Sequence, residues 1–232
     1  GNKMTYIISE ICGQWGDSIR RAEQMILQSK MGGADAVKVQ LWDTHRMPGE
    51  NRALWEYLSM TFDQFKRLKE FSDILNIDFF ASAFHDDRFE WIEKLDIKTN
   101  KIASSVIDWD LNFCNKMIDS GMKTYASLGC WDKKEYPFSQ ENVKYFHCIA
   151  QYPHTLDIAI DLMPAKFDNK LVGYSDHVIG IDACVEAVRR GATIIEKHFT
   201  TDKSLQSKTE GAHTCSMNYN DLCTLRNSVD KI

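Results

Sequence analysis

Gly173-Tyr174-Ser175-Asp176-His177 and Thr193-Ile194-Ile195-Glu196-Lys197-His198-Phe199 flank a segment of helical character that runs from near Gly180 to Gly191. Each histidine follows a short apolar run of strand type, so the stretch reads as strand, helix, strand. If the two strands are parallel neighbours, both imidazoles emerge at one sheet edge, where a metal ion or an anion can be held. Glu196 and Lys197 are expected to pair with each other or with a neighbouring strand, and Glu196 reads first as a member of a structural ion pair.

The same unit recurs on both sides of this stretch. Tyr6–Glu10 is a buried strand, followed by a helix capped by Asp17 or Ser18, carrying Ile19, Ala22 and Ile26, and stopped at Gly32-Gly33. Ala36–Gln40 is the next strand. Its Lys38 either reaches solvent at the strand end or meets a counter-ion inside. Residues 41–60 form a long connection of the kind that serves as a binding loop or lid. Thr61-Phe62-Asp63-Gln64 fits a capping box, opening a helix that buries Phe65, Leu68, Phe71 and Leu75. Strands then follow at 78–82, 101–104, 123–127, 143–150, 171–175 and 193–198. Helices carry Phe89, Ile92 and Leu95, then Leu111 to Gly121, then Leu156 to Phe167, and a last one begins at Asn218. Residues 129–142 have no apolar stripe and predict an irregular connection. Eight strands alternating with helices select an α/β fold of the (β/α)8 TIM barrel type, with residues 1–232 as a single domain.

The net charge of −5, without a clustered basic stretch, argues against a nucleic-acid surface. No run approaches the ~18 apolar residues of a membrane span, and no signal peptide opens the chain. Seven dispersed cysteines with no Cys-x-x-Cys pair fit a reducing compartment, so a cytoplasmic location is expected. Gly1 in place of methionine suggests a trimmed or processed chain.

In such barrels the chemistry lies at the carboxyl ends of the strands. Those positions are Glu10, Lys38, Gln40, Ser82, Lys101, Ser104, Ser127, Gln151, Tyr152, Ser175, His177 and His198. Two lysines and several hydroxyls converging on one mouth suit a phosphate or carboxylate, because cations and oriented donors replace the hydration that such an anion loses. Two histidines on adjacent strands suit a divalent ion that keeps open positions for water or substrate.

Ile8-Ser9-Glu10-Ile11, Ala34 to Gln40, Lys101-Ile102-Ala103-Ser104, Gly173 to His177 and Ile195 to Phe199 occur in an order that resembles the sialic acid synthase (N-acetylneuraminate synthase) family. The resemblance implies condensation of phosphoenolpyruvate with an aldehyde sugar to a 2-keto sugar acid, with release of phosphate. It implies Mn²⁺ or Mg²⁺ on His177 and His198, and phosphoenolpyruvate among Lys38, Lys101, Ser82, Ser104, Ser127 and Ser175. Glu10, Gln40 and Tyr152 would face the sugar. Glu10, Lys38, Lys101, His177 and His198 would form the catalytic set.

The sequence departs from the family pattern at three places. Ser105-Val106 stands where the family has Gly-Glu, with Asp108 two residues on. Gly13-Gln14-Trp15-Gly16 replaces Asn-His-Asn-Gly, and Glu210-Gly211-Ala212-His213 stands for Pro-Gly-Pro-Asp-His. The family's small C-terminal antifreeze-like domain has no counterpart here, so a homo-oligomer or a partner protein replacing it is expected. The departures fall on the sugar side and point to an acceptor other than N-acetylmannosamine. A metal-dependent lyase or aldolase on a related 2-keto acid, and a catalytically silent ligand-binding subunit, are the alternatives.

Overall fold

The computed structural model describes residues 4–208 and 211–232, with only the backbone for 206–208 and 211–212. Eight parallel strands close into a barrel in chain order, β1 through β8, with β1 paired to β8. The first units are β1 (Tyr6–Glu10), α1 (Ile19–Gly32) and β2 (Ala36–Leu41). After β2 come α2 (Arg52–Leu58), α3 (Phe62–Leu75), β3 (Asp78–Ala83), α4 (Asp86–Lys94) and β4 (Thr99–Ile102). The second half holds α5 (Ser104–Trp109), α6 (Leu111–Asp119), β5 (Lys123–Ser127), β6 (Val143–Cys148) and α7 (Leu156–Leu162). It closes with β7 (Leu171–Asp176), α8 (Asp182–Arg189), β8 (Ile194–His198) and α9 (Tyr219–Asp230). No helix among the described residues is long and apolar enough to cross a membrane.

Local signals set most of these limits. Ser18 rather than Asp17 caps α1 by accepting the Arg21 N–H, and Gly33 ends it in the left-handed region with φ of 103°. Thr61 and Gln64 form a reciprocal capping box on α3, and Asn218 and Asp221 form one on α9. Three expected limits move. The helix α7 stops at Leu162 instead of Phe167, because Met163 precedes Pro164 and takes an extended ψ of 137°. The strand β6 ends at Cys148, short of Ala150, and β4 ends at Ile102, so that Ser104 opens α5 instead of closing a strand. The 41–60 connection carries a 3-10 turn at Thr44–Arg46 and the helix α2.

The strand period of two divides each strand into barrel-facing and helix-facing side chains. On β6, Phe146 and Cys148 face inward while His147 faces the helical layer and stacks on Tyr174, with ring centroids 6.0 Å apart. Gly173 on β7 gives Phe146 its space: a Cβ there would lie 2.5 Å from Phe146 Cδ1 and 3.1 Å from the Ile194 carbonyl. Gly173→Ala is therefore expected to lower stability by about 1–3 kcal/mol through overpacking, measured by urea unfolding.

His147, packed beneath the helical layer against Tyr174, adds a pH dependence. Burial, with His154 contributing, lowers its pKa to about 4, against about 6.5 in an unfolded chain. Folding thus favours the neutral ring. The resulting stability is present above pH 6.5 and is lost as pH falls toward 4, because the unfolded chain takes up the proton first. His147→Phe is expected to flatten the decline over that window by up to about 3 kcal/mol, read from urea midpoints at stepped pH.

Candidate functional site

Period-two alternation also explains the cluster at the carboxyl ends. Residues two apart share the inner face, so Lys38 and Gln40 of β2 and Glu196 and His198 of β8 enter the barrel together with Glu10, Ser82, Lys101, Ser127 and Ser175. Lys38 does not reach solvent. Its Nζ lies 3.0 Å from Glu10 Oε1 and 3.6 Å from Glu196 Oε2, and donates to Ser82 Oγ at 2.7 Å. Gln40 Nε2 donates to the same Glu10 oxygen at 2.8 Å. Lys101 Nζ sits 3.3 Å from both Glu196 oxygens, 5.0 Å from the Phe146 ring centroid, and is buried.

Glu196 is ion-paired, as expected, but at the centre of the site: it bridges Lys38 and Lys101 across the barrel and also accepts from Ser175 Oγ at 3.1 Å. It does not pair with Lys197, which points to the opposite face and meets Asp176 Oδ2 of the neighbouring strand at 2.5 Å. The two-residue spacing from His198 was the available signal. Burial raises the Glu196 pKa, but Lys101, Lys38 and His198 outweigh it and bring the carboxyl down to about 2. Glu10 goes the other way. Burial pushes it up, Glu196 adds to this, and Lys38 and Gln40 only partly offset it. Burial, against the pull of Glu196, holds Lys101 below its usual range, whereas Glu10 and Glu196 overcome burial at Lys38 and raise it.

His177, one residue past β7, and His198, at the end of β8, have ring centroids 5.9 Å apart. His177 Nδ1 contacts the Ile149 carbonyl at 2.9 Å, and His198 Nδ1 contacts Gln14 Oε1 at 2.9 Å. Both partners are acceptors, so each Nδ1 carries the proton. The separation is within reach of two imidazoles sharing one ion at about 2.1 Å per bond. The set fits a divalent ion held by two protein nitrogens with its other positions open, and no group of three or more His, Cys, Asp or Glu that could hold a metal occurs among the described residues. Burial brings His177 down to about 4, and burial, with His177 adding to the effect, holds His198 well below its usual range. Gln14, read from sequence as a sugar-side departure, belongs instead to the histidine side. Tyr152 stands over both rings, 4.0 Å from His177 and 6.4 Å from His198 between centroids.

Ser127 Oγ is buried with no hydrogen-bond partner among the described residues. Ser104 Oγ accepts the Gly129 N–H at 3.1 Å, and a Cβ on Gly129 would lie 2.9 Å from that hydroxyl, so the backbone approaches closely because residue 129 has no side chain. Beyond Ser104 a cleft of about 400 Å³ opens between Gln40, Ser105, Trp55, Trp109, Tyr152 and His198. Val106 does not line this cleft; it is 1% exposed and packs in the core, while Asp108 faces solvent. Trp15 is fully buried. Glu210 lies outside the described residues, as does the side chain of Ala212. His213 is buried and contacts the Asp202 carbonyl through Nε2 at 3.0 Å.

A family model described as the NeuB family matches residues 25–232. The chain belongs to the NeuB family. It is 28% identical, over 97% of its length, to the N-acetylneuraminate-9-phosphate synthase of Drosophila melanogaster, and spans 67% of that protein. With the N,N'-diacetyllegionaminic acid synthase of Legionella pneumophila it shares 27% identity over 99% of its length and spans 72% of that protein. The crystal structure of the N-acetylneuraminic acid synthetase of Leptospira borgpetersenii, in complex with citrate, covers all of this chain and 84% of its own at a TM-score of 0.81 and 28% identity. The family expected from the motifs is the family found, and with it an enzyme of sialic-acid-synthase type. In this NeuB-family chain Glu10 and Gln14 precede the matched span, and the other site residues fall within it.

Proposed function

We propose that the protein condenses phosphoenolpyruvate with the aldehyde carbon of an aldose, giving a 2-keto sugar acid and inorganic phosphate. The observation that carries this reading is the convergence of two buried lysines on one carboxylate, beside two histidines whose Nδ1 atoms are both engaged by acceptors. Glu196 lies between Lys38 and Lys101, so an incoming anion competes with it for both ammonium groups. The ligand's phosphate and carboxylate would be held by these lysines with Ser82, Ser104, Ser127 and Ser175. The open Ser127 hydroxyl supplies a donor that costs no existing bond.

His177 and His198 would hold Mn²⁺ or Mg²⁺, and such an ion polarises a bound carbonyl oxygen. The protein's own residues do the remaining work. Gln40 and Tyr152 orient the aldose toward the nucleophile, carbon 3 of phosphoenolpyruvate. Glu10, whose carboxyl burial pushes up, is suited to exchange a proton with the oxygen that becomes alkoxide as the carbon–carbon bond forms. Water then adds at carbon 2, and the tetrahedral adduct expels phosphate. Lys101, with its depressed pKa, is suited to move a proton at that oxygen. The reading places the reaction in the cytoplasm, where unpaired thiols persist.

The test is phosphate release from purified protein supplied with phosphoenolpyruvate, an N-acylated aldose and Mn²⁺ or Mg²⁺. Release is expected only when all three are present. Pyruvate formed from a 2-keto sugar acid supplied in place of phosphoenolpyruvate, with no phosphate released from phosphoenolpyruvate in the first assay, would assign a lyase instead and overturn the condensation.

A further inference from the structure

Resting on that reading, we infer that Phe146 is a positioning residue of the anion site: its ring face seats the Lys101 ammonium, so that the charge stays in place when the anionic substrate displaces Glu196. The two lysines are held in different ways. Lys38 makes short contacts, 3.0 Å to Glu10 Oε1 and 2.7 Å to Ser82 Oγ. Lys101 Nζ instead lies 3.3 Å from each Glu196 oxygen, longer than the roughly 2.7–2.9 Å of a short charge-assisted bond. The same Nζ is 5.0 Å from the Phe146 ring centroid, inside the ~6 Å over which a ring face attracts a cation.

Four strands build this seat. Lys101 of β4 stands beside Tyr125 of β5, Ser127 of β5 beside Phe146 of β6, and Phe146 beside Gly173 of β7. The Tyr125 and Phe146 rings are both buried, with centroids 5.1 Å apart and planes at 30°. On the other side, a Cβ on Gly173 would lie 2.5 and 2.7 Å from Phe146 Cδ1 and Cε1. The ring is therefore held between Tyr125 and the β7 backbone, with its orientation set by both.

An aromatic face does here what a second carboxylate could not. It attracts the ammonium, yet it has no net charge to repel an incoming phosphate or carboxylate. In a site closed to water that attraction is stronger than at a surface. The groups facing Lys101 are Glu196 from β8, Lys38 from β2 and the Cys148 thiol from β6. When the anion draws Glu196 aside, the ring still holds the charge against burial and against Lys38.

The experiment follows the lysine signals of the full chain against pH, with lysine carbon-13 labelled at Cε and the Lys101 signal assigned by its loss in Lys101→Arg. Two ring changes are compared with the native protein. One is Phe146→Leu; the other installs pentafluorophenylalanine at position 146, which keeps the shape of the ring and reverses the polarity of its face. The Lys101 midpoint is expected to fall by about one pH unit with leucine and further with the fluorinated ring, because either change disfavours the ammonium. The Kd of phosphoenolpyruvate, from calorimetry on the same samples near about pH 8, is expected to rise at least about tenfold with the fluorinated ring. A midpoint that the fluorinated ring leaves unchanged would overturn the inference, since a purely structural role of Phe146 survives fluorination. So would a Kd that the fluorinated ring leaves unchanged, or native protein whose Lys101 signal does not respond to phosphoenolpyruvate. Phosphate release separates the two claims. The expected shifts with no release from any aldose sink the condensation alone. Release by the native protein, with both ring variants matching it in midpoint and Kd, sinks this inference alone.

Discussion

His198→Ala should lower metal-dependent turnover by about a thousandfold while leaving the fold intact. The residue ends β8, and its ring is fixed between Gln14 on one side and the Tyr152 and His177 rings on the other. If a divalent ion rests on two protein nitrogens, losing one removes a large part of its binding energy and with it several kcal/mol of charge stabilisation, which converts to about three powers of ten in rate. Gln14→Leu should give a milder version of the same defect. Loss of the group that fixes the ring's tautomer is expected to weaken metal affinity by roughly 10–100-fold, with turnover recovering at saturating Mn²⁺. Mn²⁺ binding followed by electron paramagnetic resonance, with far-ultraviolet circular dichroism as the folding control, checks both. A His198→Ala variant that keeps full affinity for the ion would remove the histidine from the site.

The second large effect is expected behind the barrel wall. Lys197 and Asp176 are 1% and 0% exposed at their side chains, and Lys197 also donates to the Val178 carbonyl at 2.7 Å. Asp176 takes a further bond from the Tyr174 hydroxyl at 2.6 Å. Burial works against the Lys197 charge, but Asp176 outweighs it and holds the ammonium above its usual range. Lys197→Met would leave the aspartate charged and enclosed, which is expected to cost about 3–5 kcal/mol, or roughly 10 °C in Tm for a chain of this size. Adding Asp176→Leu and Tyr174→Phe should restore most of that loss, because buried pairs are costly mainly when broken. Urea unfolding of the single and triple variants decides it. Since His177 and His198 directly follow these two residues, the pair also clamps the strand ends that carry the histidines.

The fold was legible because its signals are local. Apolar runs of four to six residues, Thr61 with Gln64, Ser18 and the glycine stop at Gly33 each act within a turn or two of chain. The inner ring of the site was legible for the same reason, since a polar residue closing an apolar run marks a strand end. What escaped the sequence depends on closure. Gln14 and His198 are 184 residues apart and meet only because β1 pairs with β8. The Trp55, Phe84 and Trp109 wall needs three strand ends brought side by side. Glu196 was in plain view, two residues before His198, but the adjoining Lys197 offered a nearer partner. Only the assignment of faces separates them. Val106 shows the converse: a departure from the family motif that, in three dimensions, fills the core instead of the cleft.

The central claim is that one cavity holds a divalent ion on His177 and His198 beside an anion on Lys38 and Lys101. A crystal of the protein soaked with Mn²⁺ and phosphoenolpyruvate, with data at the manganese edge, tests it directly. The account predicts one anomalous peak within about 2.3 Å of both Nε2 atoms, and the ligand's phosphate within hydrogen-bond reach of Lys38 or Lys101 and of Ser127. Manganese bound away from the two histidines, or phosphoenolpyruvate bound outside the barrel mouth with the Lys101–Glu196 pair undisturbed, would contradict it.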